Sequence, residues 1–156
     1  MTEPVQQYTL FIMGGKEFAI EIGLVVEILQ RQEAMPVPNM PDFLVGIIDL
    51  RGRVIPVIDL RKRFHMAPVA KSKDRIIIVR KGRERLGMVV DNVMEIVPLE
   101  SKGITAPPSI FKGPGSEYLK KIGKTGGRMI VILDVDRLLN REEMFMLNEA
   151  INSGAG

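Results

Sequence analysis

The stretch that decides the fold is "GIIDLRGRVIPVIDLRKRF", residues 46–64, in which the triplet Asp-Leu-Arg occurs twice. Two aliphatic runs, "GIIDL" and "RVIPVIDL", flank an Arg-Gly pair, a pattern typical of two strands joined by a tight turn. Four charged side chains lie among Ile, Val and Leu. The stretch raises three interpretations: a catalytic constellation, a basic binding stripe, or the scaffold of a strand-rich fold.

A second copy of the pattern lies in the other half of the chain. "GRVIPVIDLR" (52–61) parallels "GRMIVILDVD" (127–136), and "GKEFAIEIGLVVEI" (15–28) parallels "GRERLGMVVDNVMEI" (82–96). Each half therefore predicts about five short strands in the same order, close to the number in a small closed barrel. Closing a sheet into a barrel removes the exposed edges that short strands otherwise leave.

We expect one all-β domain, residues 1–156, made of two five-stranded β-barrel lobes with a buried seam between them. The lobes are approximately residues 15–75 and 76–140. The tail "REEMFMLNEAINSGAG" has apolar residues at helical spacing and predicts an amphipathic helix over 141–152. This helix and the N-terminal strand are expected to pack across the lobes.

The composition narrows the class of protein. Hydrophobic residues make up 46% of the chain and charged residues 26%, which is typical of a globular protein, and no cysteine is present. Disulfides, a thiolate nucleophile and a cysteine metal site are therefore excluded. The N-terminus lacks the basic region of a signal peptide, and no apolar run approaches the ~18 residues of a membrane span. The absence of cysteine is compatible with a reducing cytoplasm, and we expect no direct membrane contact.

Four carboxylates and one arginine are predicted to have structural roles. Asp59 and Asp134 each follow an aliphatic strand and precede a short helical pattern, so each is expected to cap a helix, which stabilises it by ~1 kcal/mol. Asp49 lies at a turn that suits it. Glu27 and Arg51 have apolar neighbours, and an unpaired charge near a core is costly, so we expect these two to pair.

Catalysis is not predicted. Asp49, Asp59 and Glu27 have no accompanying nucleophile or ligand set, and the single histidine, His65, stands alone. No phosphate-loop, nucleophile-elbow or deaminase motif occurs, so we expect no enzyme activity, no cofactor and no metal.

Two basic clusters are expected to be solvated hairpin tips and a helix face. Nucleic-acid binders usually combine such clusters with stacking aromatics, which are only 5% of this chain. A small β-barrel nucleic-acid binder is therefore a weak alternative. The clusters consist of Arg51, Arg53, Arg61, Lys62 and Arg63, and of Arg80, Lys81, Arg83 and Arg85.

The chain resembles a known family. "FAIEIGLVVEI", "PVPNMPDFLVGIIDLRGRVIPVIDLRKRF", "RLGMVVDNVMEIV" and "RMIVILDVDRLLNREEM" together look like the CheW family of chemotaxis coupling proteins, from about Tyr8 to Ile151. The stretch G-x-x-[ND]-L-R-G-x-[IV]-x-P-[VI]-[IV]-D-L-R is specific to CheW-like domains. Asp49 stands where the family commonly has Asn, which adds a charge beside Arg51.

The resemblance implies two SH3-like five-stranded β-barrel lobes and a cytoplasmic, non-enzymatic adaptor. Such an adaptor joins the tip helices of chemoreceptors to the regulatory domain of the histidine kinase CheA, which has the same fold. The alternative within the family is an adaptor of a non-chemotactic two-component pathway, such as motility on surfaces.

The resemblance also assigns residues to contacts. Receptor-binding positions carry over to Val25, Gly46, Ile76 and Gly87. A structural ion pair carries over to Glu27 and Arg51. A kinase contact carries over to Thr105, Ser109 and Ile110. The competing interpretation is that Val25 and Ile76 are core residues and that the two glycines serve a bulge or close packing.

Overall fold

The computed structural model describes residues 5–67, 73–107 and 115–154, and within them the chain is mostly strands. The strands are β1 Val5–Met13, β2 Lys16–Glu21, β3 Val25–Gln30, β4 Leu44–Leu50, β5 Arg53–Asp59, β6 Arg75–Lys81, β7 Glu84–Val90, β8 Asn92–Glu100, β9 Ile104–Thr105, β10 Leu119–Thr125 and β11 Arg128–Leu133. The helices are α1 Leu60–Arg63 and α2 Arg141–Gly154, with 3-10 turns at Ile22–Leu24, Ser101–Gly103, Ser116–Tyr118 and Val135–Arg137. The predicted all-β class with a C-terminal helix is confirmed.

The hairpin predicted from residues 46–64 forms as β4 and β5, with Leu50 opposite Arg53. Arg51 and Gly52 fill the two turn positions with φ of +51° and +82°. Positive φ at both positions matches the twist of the flanking strands. The Asp49 carboxylate accepts a hydrogen bond of 2.9 Å from the Gly52 amide, so this side chain closes the turn.

The strands form two sheets that exchange hairpins between the halves of the chain. One sheet has the order β3-β6-β7-β5-β4, and the other has the order β8-β1-β2-β11-β10-β9. The hairpin β1–β2 thus belongs with the C-terminal strands, and β6–β7 belongs with β3, β4 and β5. The sheets do not follow the expected division at 15–75 and 76–140, and the second sheet has six strands rather than five.

Because of this exchange, the internal repeat relates one sheet to the other. The order β3-β6-β7-β5-β4 matches β8-β1-β2-β11-β10 strand for strand. The two parallel pairings are equivalent: β5 lies beside β7 in one sheet and β11 beside β2 in the other. The repeated segments of the two halves therefore pair with each other. The strand from residues 52–61 lies beside the hairpin strand from residues 82–96, and the strand from residues 127–136 lies beside the one from residues 15–28.

Among the described residues, three apolar clusters form the core. One lies within the five-stranded sheet and includes Ile48, Val57 and Ile76, and one lies within the six-stranded sheet and includes Leu10 and Ile130. The largest lies between the sheets and α2. It contains Phe11, Phe18, Ile77, Met88 and Leu147, among others.

Both predicted caps are present. The Asp59 carboxylate accepts a hydrogen bond of 3.0 Å from the Arg61 amide at the start of α1. The Asp134 carboxylate accepts one of 3.1 Å from the Asp136 amide at the following 3-10 turn. These carboxylates satisfy backbone donors that a helix start leaves unpaired.

Candidate functional site

Glu27 and Arg51 form a bidentate ion pair. The Arg51 guanidinium donates hydrogen bonds of 2.8 and 2.7 Å to the two Glu27 carboxylate oxygens. These bonds lower the pKa of Glu27 below its ordinary value, since the charged carboxylate is the form that accepts them. The pair links β3 to the β4–β5 turn.

This ion pair is more exposed than the sequence suggested. The apolar neighbours of Arg51 predicted a charge close to the core, yet 73% of its side chain is accessible. The reason is the turn: Arg51 has positive φ at the hairpin tip, where side chains no longer alternate between the faces of a strand. The pair therefore orients a hairpin at the surface.

Gly46 has a structural reason to be glycine. Its φ is +152°, and a Cβ there would lie 2.3 Å from the Met35 carbonyl oxygen. Met35 and Ile47 exchange backbone hydrogen bonds of 2.8 and 2.9 Å, so the segment before β4 lies directly over Gly46. The pairing of β4 with β5 shifts register at this point. Gly46 thus lies at a bulge that another backbone covers.

Gly87 and Ile76 lie together inside the five-stranded sheet. A Cβ on Gly87 would lie 3.0 Å from Val57 Cγ2 and 3.1 Å from Ile76 Cγ2. The Ile76 side chain has no accessible surface. Neither position presents a side chain to solvent.

The four expected receptor positions do not converge on one face. Gly46 and Gly87 do share a row across the sheet, because both pair with Val57 on β5. The same row continues through Ile78 to Glu27. Val25, by contrast, packs against the cluster between the sheets, whereas Ile76 belongs to the cluster inside one sheet.

Of the three residues expected at the kinase contact, Thr105 lies on the other sheet. Thr105 is exposed on β9, the edge strand beside β10. Ser109 and Ile110 lie outside the described residues. Among the described residues, the expected receptor positions therefore lie on the five-stranded sheet, and the expected kinase position lies on the six-stranded sheet.

Sequence reasoning missed a buried ion cluster around Arg61, which it placed on a solvated helix face. The Arg61 side chain is 5% accessible and forms ion pairs with Asp59 at 3.0 Å, Asp91 at 3.0 Å and Asp74 at 3.1 Å. Asp91 also accepts a hydrogen bond from the Gly14 amide. Burial by itself lowers the pKa of the Arg61 guanidinium, but the three carboxylates together outweigh burial and raise the pKa above its ordinary value.

Arg63 also differs from the expectation of a solvated face. It donates to the Leu138 carbonyl oxygen at 2.8 Å and to Glu143 of α2 at 2.6 Å. Its guanidinium lies over the Phe43 and Tyr118 rings, 4.3 and 4.9 Å from their centres. The sequence offered one indication that these two arginines do not lie on a solvated face. Both lie on a helix of a single turn that directly follows a buried strand.

The six-stranded sheet also carries an ion pair between a hairpin end and an edge strand, although its arginine, Arg128, aligns with Arg53 in the repeat and not with Arg51. Arg128, at the β10–β11 turn, lies 3.7 Å from Glu95 on β8, which is the strand equivalent to β3. Arg128 also donates bonds of 2.6 and 3.2 Å to Glu17 on β2. Each sheet thus has an arginine at a hairpin end bound to a carboxylate on its edge strand.

In the described ranges, no group of three or more His, Cys, Asp or Glu side chains is placed to hold a metal ion. In the same part of the chain, neither helix has the length and apolarity that crossing a membrane requires.

Comparison with known proteins places the chain in a family. The CheW-like domain family matches residues 7–143. Chemotaxis protein CheW of Klebsiella aerogenes is 33% identical over 149 residues, which cover 95% of this chain and 90% of that protein. Chemotaxis protein CheW of Bacillus subtilis is 30% identical and covers 88% of each chain. The crystal structure of the scaffolding protein TtCheW from Thermoanaerobacter tengcongensis superposes with a TM-score of 0.83 at 33% identity, covering 90% of this chain and 96% of that chain.

The protein is an all-β module of two equivalent sheets. The sheets exchange hairpins, and the C-terminal helix packs against both of them. The chain belongs to the CheW-like family of chemotaxis scaffolding proteins.

Proposed function

We propose that this chain is a non-enzymatic cytoplasmic adaptor that couples chemoreceptors to the histidine kinase CheA. The observation that carries the proposal is membership of the CheW-like family, in which the structural relative TtCheW is a scaffolding protein. In this proposal the receptor tip helices bind near Val25, Gly46, Ile76 and Gly87. The kinase regulatory domain binds near Thr105, Ser109 and Ile110.

The separation of the two sets supports an adaptor. The receptor positions belong to the five-stranded sheet, and Thr105 belongs to the edge of the six-stranded sheet. Two partners on different sheets can be held at the same time without competing for one surface. The Glu27–Arg51 pair would position the hairpin that borders the receptor positions.

Co-sedimentation of this protein with receptor cytoplasmic fragments and CheA tests the proposal. We expect a ternary assembly and kinase autophosphorylation under receptor control. If neither partner sediments with the wild-type chain, alone or in the three-way mixture, the adaptor proposal is wrong.

A charge swap tests the role of the ion pair. Arg51→Glu alone places two carboxylates together and should reduce coupling. The double variant Glu27→Arg, Arg51→Glu restores a pair of opposite charge and should restore coupling if the pair only positions the hairpin. If the swap does not rescue coupling, one of these side chains contacts a partner directly.

A further inference from the structure

An open pocket of about 340 Å³ lies between the five-stranded sheet and the carboxyl end of α2. Arg53, Arg83 and Arg85 line its sheet side, together with Val54. Met144 and Ile151 of α2 line the opposite side. We call these six residues the arginine pocket. It contains none of the positions assigned above to receptor or kinase.

The charges of the arginine pocket are not neutralised. Within the described residues, Arg53, Arg83 and Arg85 make no side-chain hydrogen bond or salt bridge. Arg85 lowers the pKa of Glu27, but that carboxylate is already bound to Arg51. The carboxylate that lines the pocket is Glu84, one negative charge against three positive ones. The negative end of the α2 dipole offsets only part of the remainder.

The hairpin that supplies Arg85 contains a like-charge pair. Arg80 on β6 lies directly opposite Arg85 on β7. Like charges directly opposite each other on adjacent strands destabilise a sheet. Violations of such local rules are expected at functional sites. An anion bound by Arg85 would relieve this repulsion.

We propose that the arginine pocket binds an acidic segment of a protein partner. The guanidinium groups of Arg53, Arg83 and Arg85 bind its carboxylates, because their forked donors match carboxylate geometry. Val54, Met144 and Ile151 receive an apolar side chain from the same segment.

A protein segment fits the pocket better than a nucleic acid. The described lining residues include no aromatic side chain on which a base could stack. They do include an apolar wall on the helix side, which a phosphate backbone would leave unused. The proposal does not depend on the adaptor function, since the pocket contains none of the residues assigned to receptor or kinase and is tested without either partner.

The test uses the labelled peptide acetyl-Glu-Asp-Leu-Glu-Asp-amide and its neutral analogue acetyl-Gln-Asn-Leu-Gln-Asn-amide, with fluorescence anisotropy on the full chain. We expect the acidic peptide to bind with an affinity that falls as salt rises, and the neutral analogue to bind far more weakly. Arg83→Gln and Arg85→Gln should each weaken binding about tenfold, as expected for the loss of a charge-assisted hydrogen bond.

Arg80→Gln is the matched control. It removes the same charge from the same hairpin, but Arg80 does not line the pocket. Its affinity for the acidic peptide should fall much less than that of Arg85→Gln, since the variant removes only the repulsion that a bound anion relieves and no carboxylate contact. Thermal melting of each variant checks that the fold is intact.

Three results would overturn the proposal. The first is no binding of the acidic peptide. The second is an equal loss of affinity in Arg80→Gln and Arg85→Gln, which would indicate a diffuse field instead of a pocket. The third is a single-stranded oligonucleotide that displaces the peptide and depends on the same arginines, which would assign the pocket to nucleic acid.

Discussion

At the scale of single residues, the two Asp-Leu-Arg triplets have different roles although they look alike. In the first, Asp49 closes a turn and Arg51 pairs with Glu27 at the surface. In the second, Asp59 caps α1 and Arg61 lies buried among three carboxylates. The difference comes from what surrounds each triplet: the first lies at an exposed hairpin tip, and the second lies where β5 enters the core between the sheets.

Arg61→Met should destabilise the protein strongly. The substitution leaves Asp59, Asp74 and Asp91 without their shared cation, and breaking a buried pair costs about 3–5 kcal/mol. Urea unfolding measures the free energy of unfolding. The control is the exposed neighbour, Lys62→Met, which should change it by less than about 0.5 kcal/mol. Equal values for the two variants would contradict the buried cluster.

Gly46→Ala should destabilise the protein by roughly 1–3 kcal/mol, since the new Cβ meets the Met35 carbonyl and the backbone must shift. Gly23→Ala is the matched control, because a Cβ there meets nothing within 4 Å. It should have a near-neutral effect in the same unfolding experiment. A Gly46→Ala variant as stable as Gly23→Ala would show that the segment around Met35 moves aside at no cost.

At the scale of elements, local pattern predicted most strands and both helices. The hairpins β1–β2, β4–β5, β6–β7 and β10–β11 form where glycine turns separate β-branched runs. The helix expected over 141–152 spans Arg141–Gly154. These elements were predictable because hydrophobic period and turn residues act over a few neighbours. The face that each strand buries was less predictable, as the positions of Val25 and Ile76 demonstrate.

The packing of α2 makes one prediction at this scale. Leu147 is 3% exposed in the cluster between the sheets, whereas Phe145 on the same helix is 65% exposed. Leu147→Ala should therefore lower the free energy of unfolding by about 2–5 kcal/mol. Phe145→Ala should change it by less than about 0.5 kcal/mol, although it removes a larger side chain. A greater loss for Phe145→Ala would mean that α2 is rotated on the sheets.

At the scale of the whole molecule, the exchange of hairpins makes the sheets depend on each other. Each sheet takes strands from both halves of the chain, and one cluster joins the two sheets to α2. We therefore expect a single cooperative unfolding transition. Far-ultraviolet circular dichroism and tyrosine fluorescence should give the same midpoint in urea. Two separate transitions would contradict this coupling of the sheets.

The two tyrosines of the chain, Tyr8 and Tyr118, should make this stability depend on alkaline pH. Burial raises the pKa of both phenols, because the phenolate is poorly solvated in the core. Their contribution to stability is complete below the pKa of an unfolded tyrosine, about 10, and is lost as pH rises through the folded-state values. Tyrosinate absorbance as a function of pH measures the phenol pKa values in the folded protein. Urea unfolding midpoints measured at increasing pH report the loss of stability. Ionisation of both phenols at the ordinary pKa in the folded protein would contradict the prediction.

The sequence by itself determined the strands, the turns, the helix caps, the all-β class and the family, because these depend on short-range pattern and on motifs read in order. Only the tertiary structure decided that β1–β2 and β6–β7 change sheets, since two similar halves offer each hairpin equivalent partners and long-range packing selects between them. It also decided which arginines are charges at the surface and which are buried. Arg51, Arg61 and Arg85 all have apolar neighbours in the chain, yet one lies at a turn, one in an ion cluster and one in an open pocket. That distinction depends on which carboxylates the fold brings within reach, and chain neighbours do not encode it.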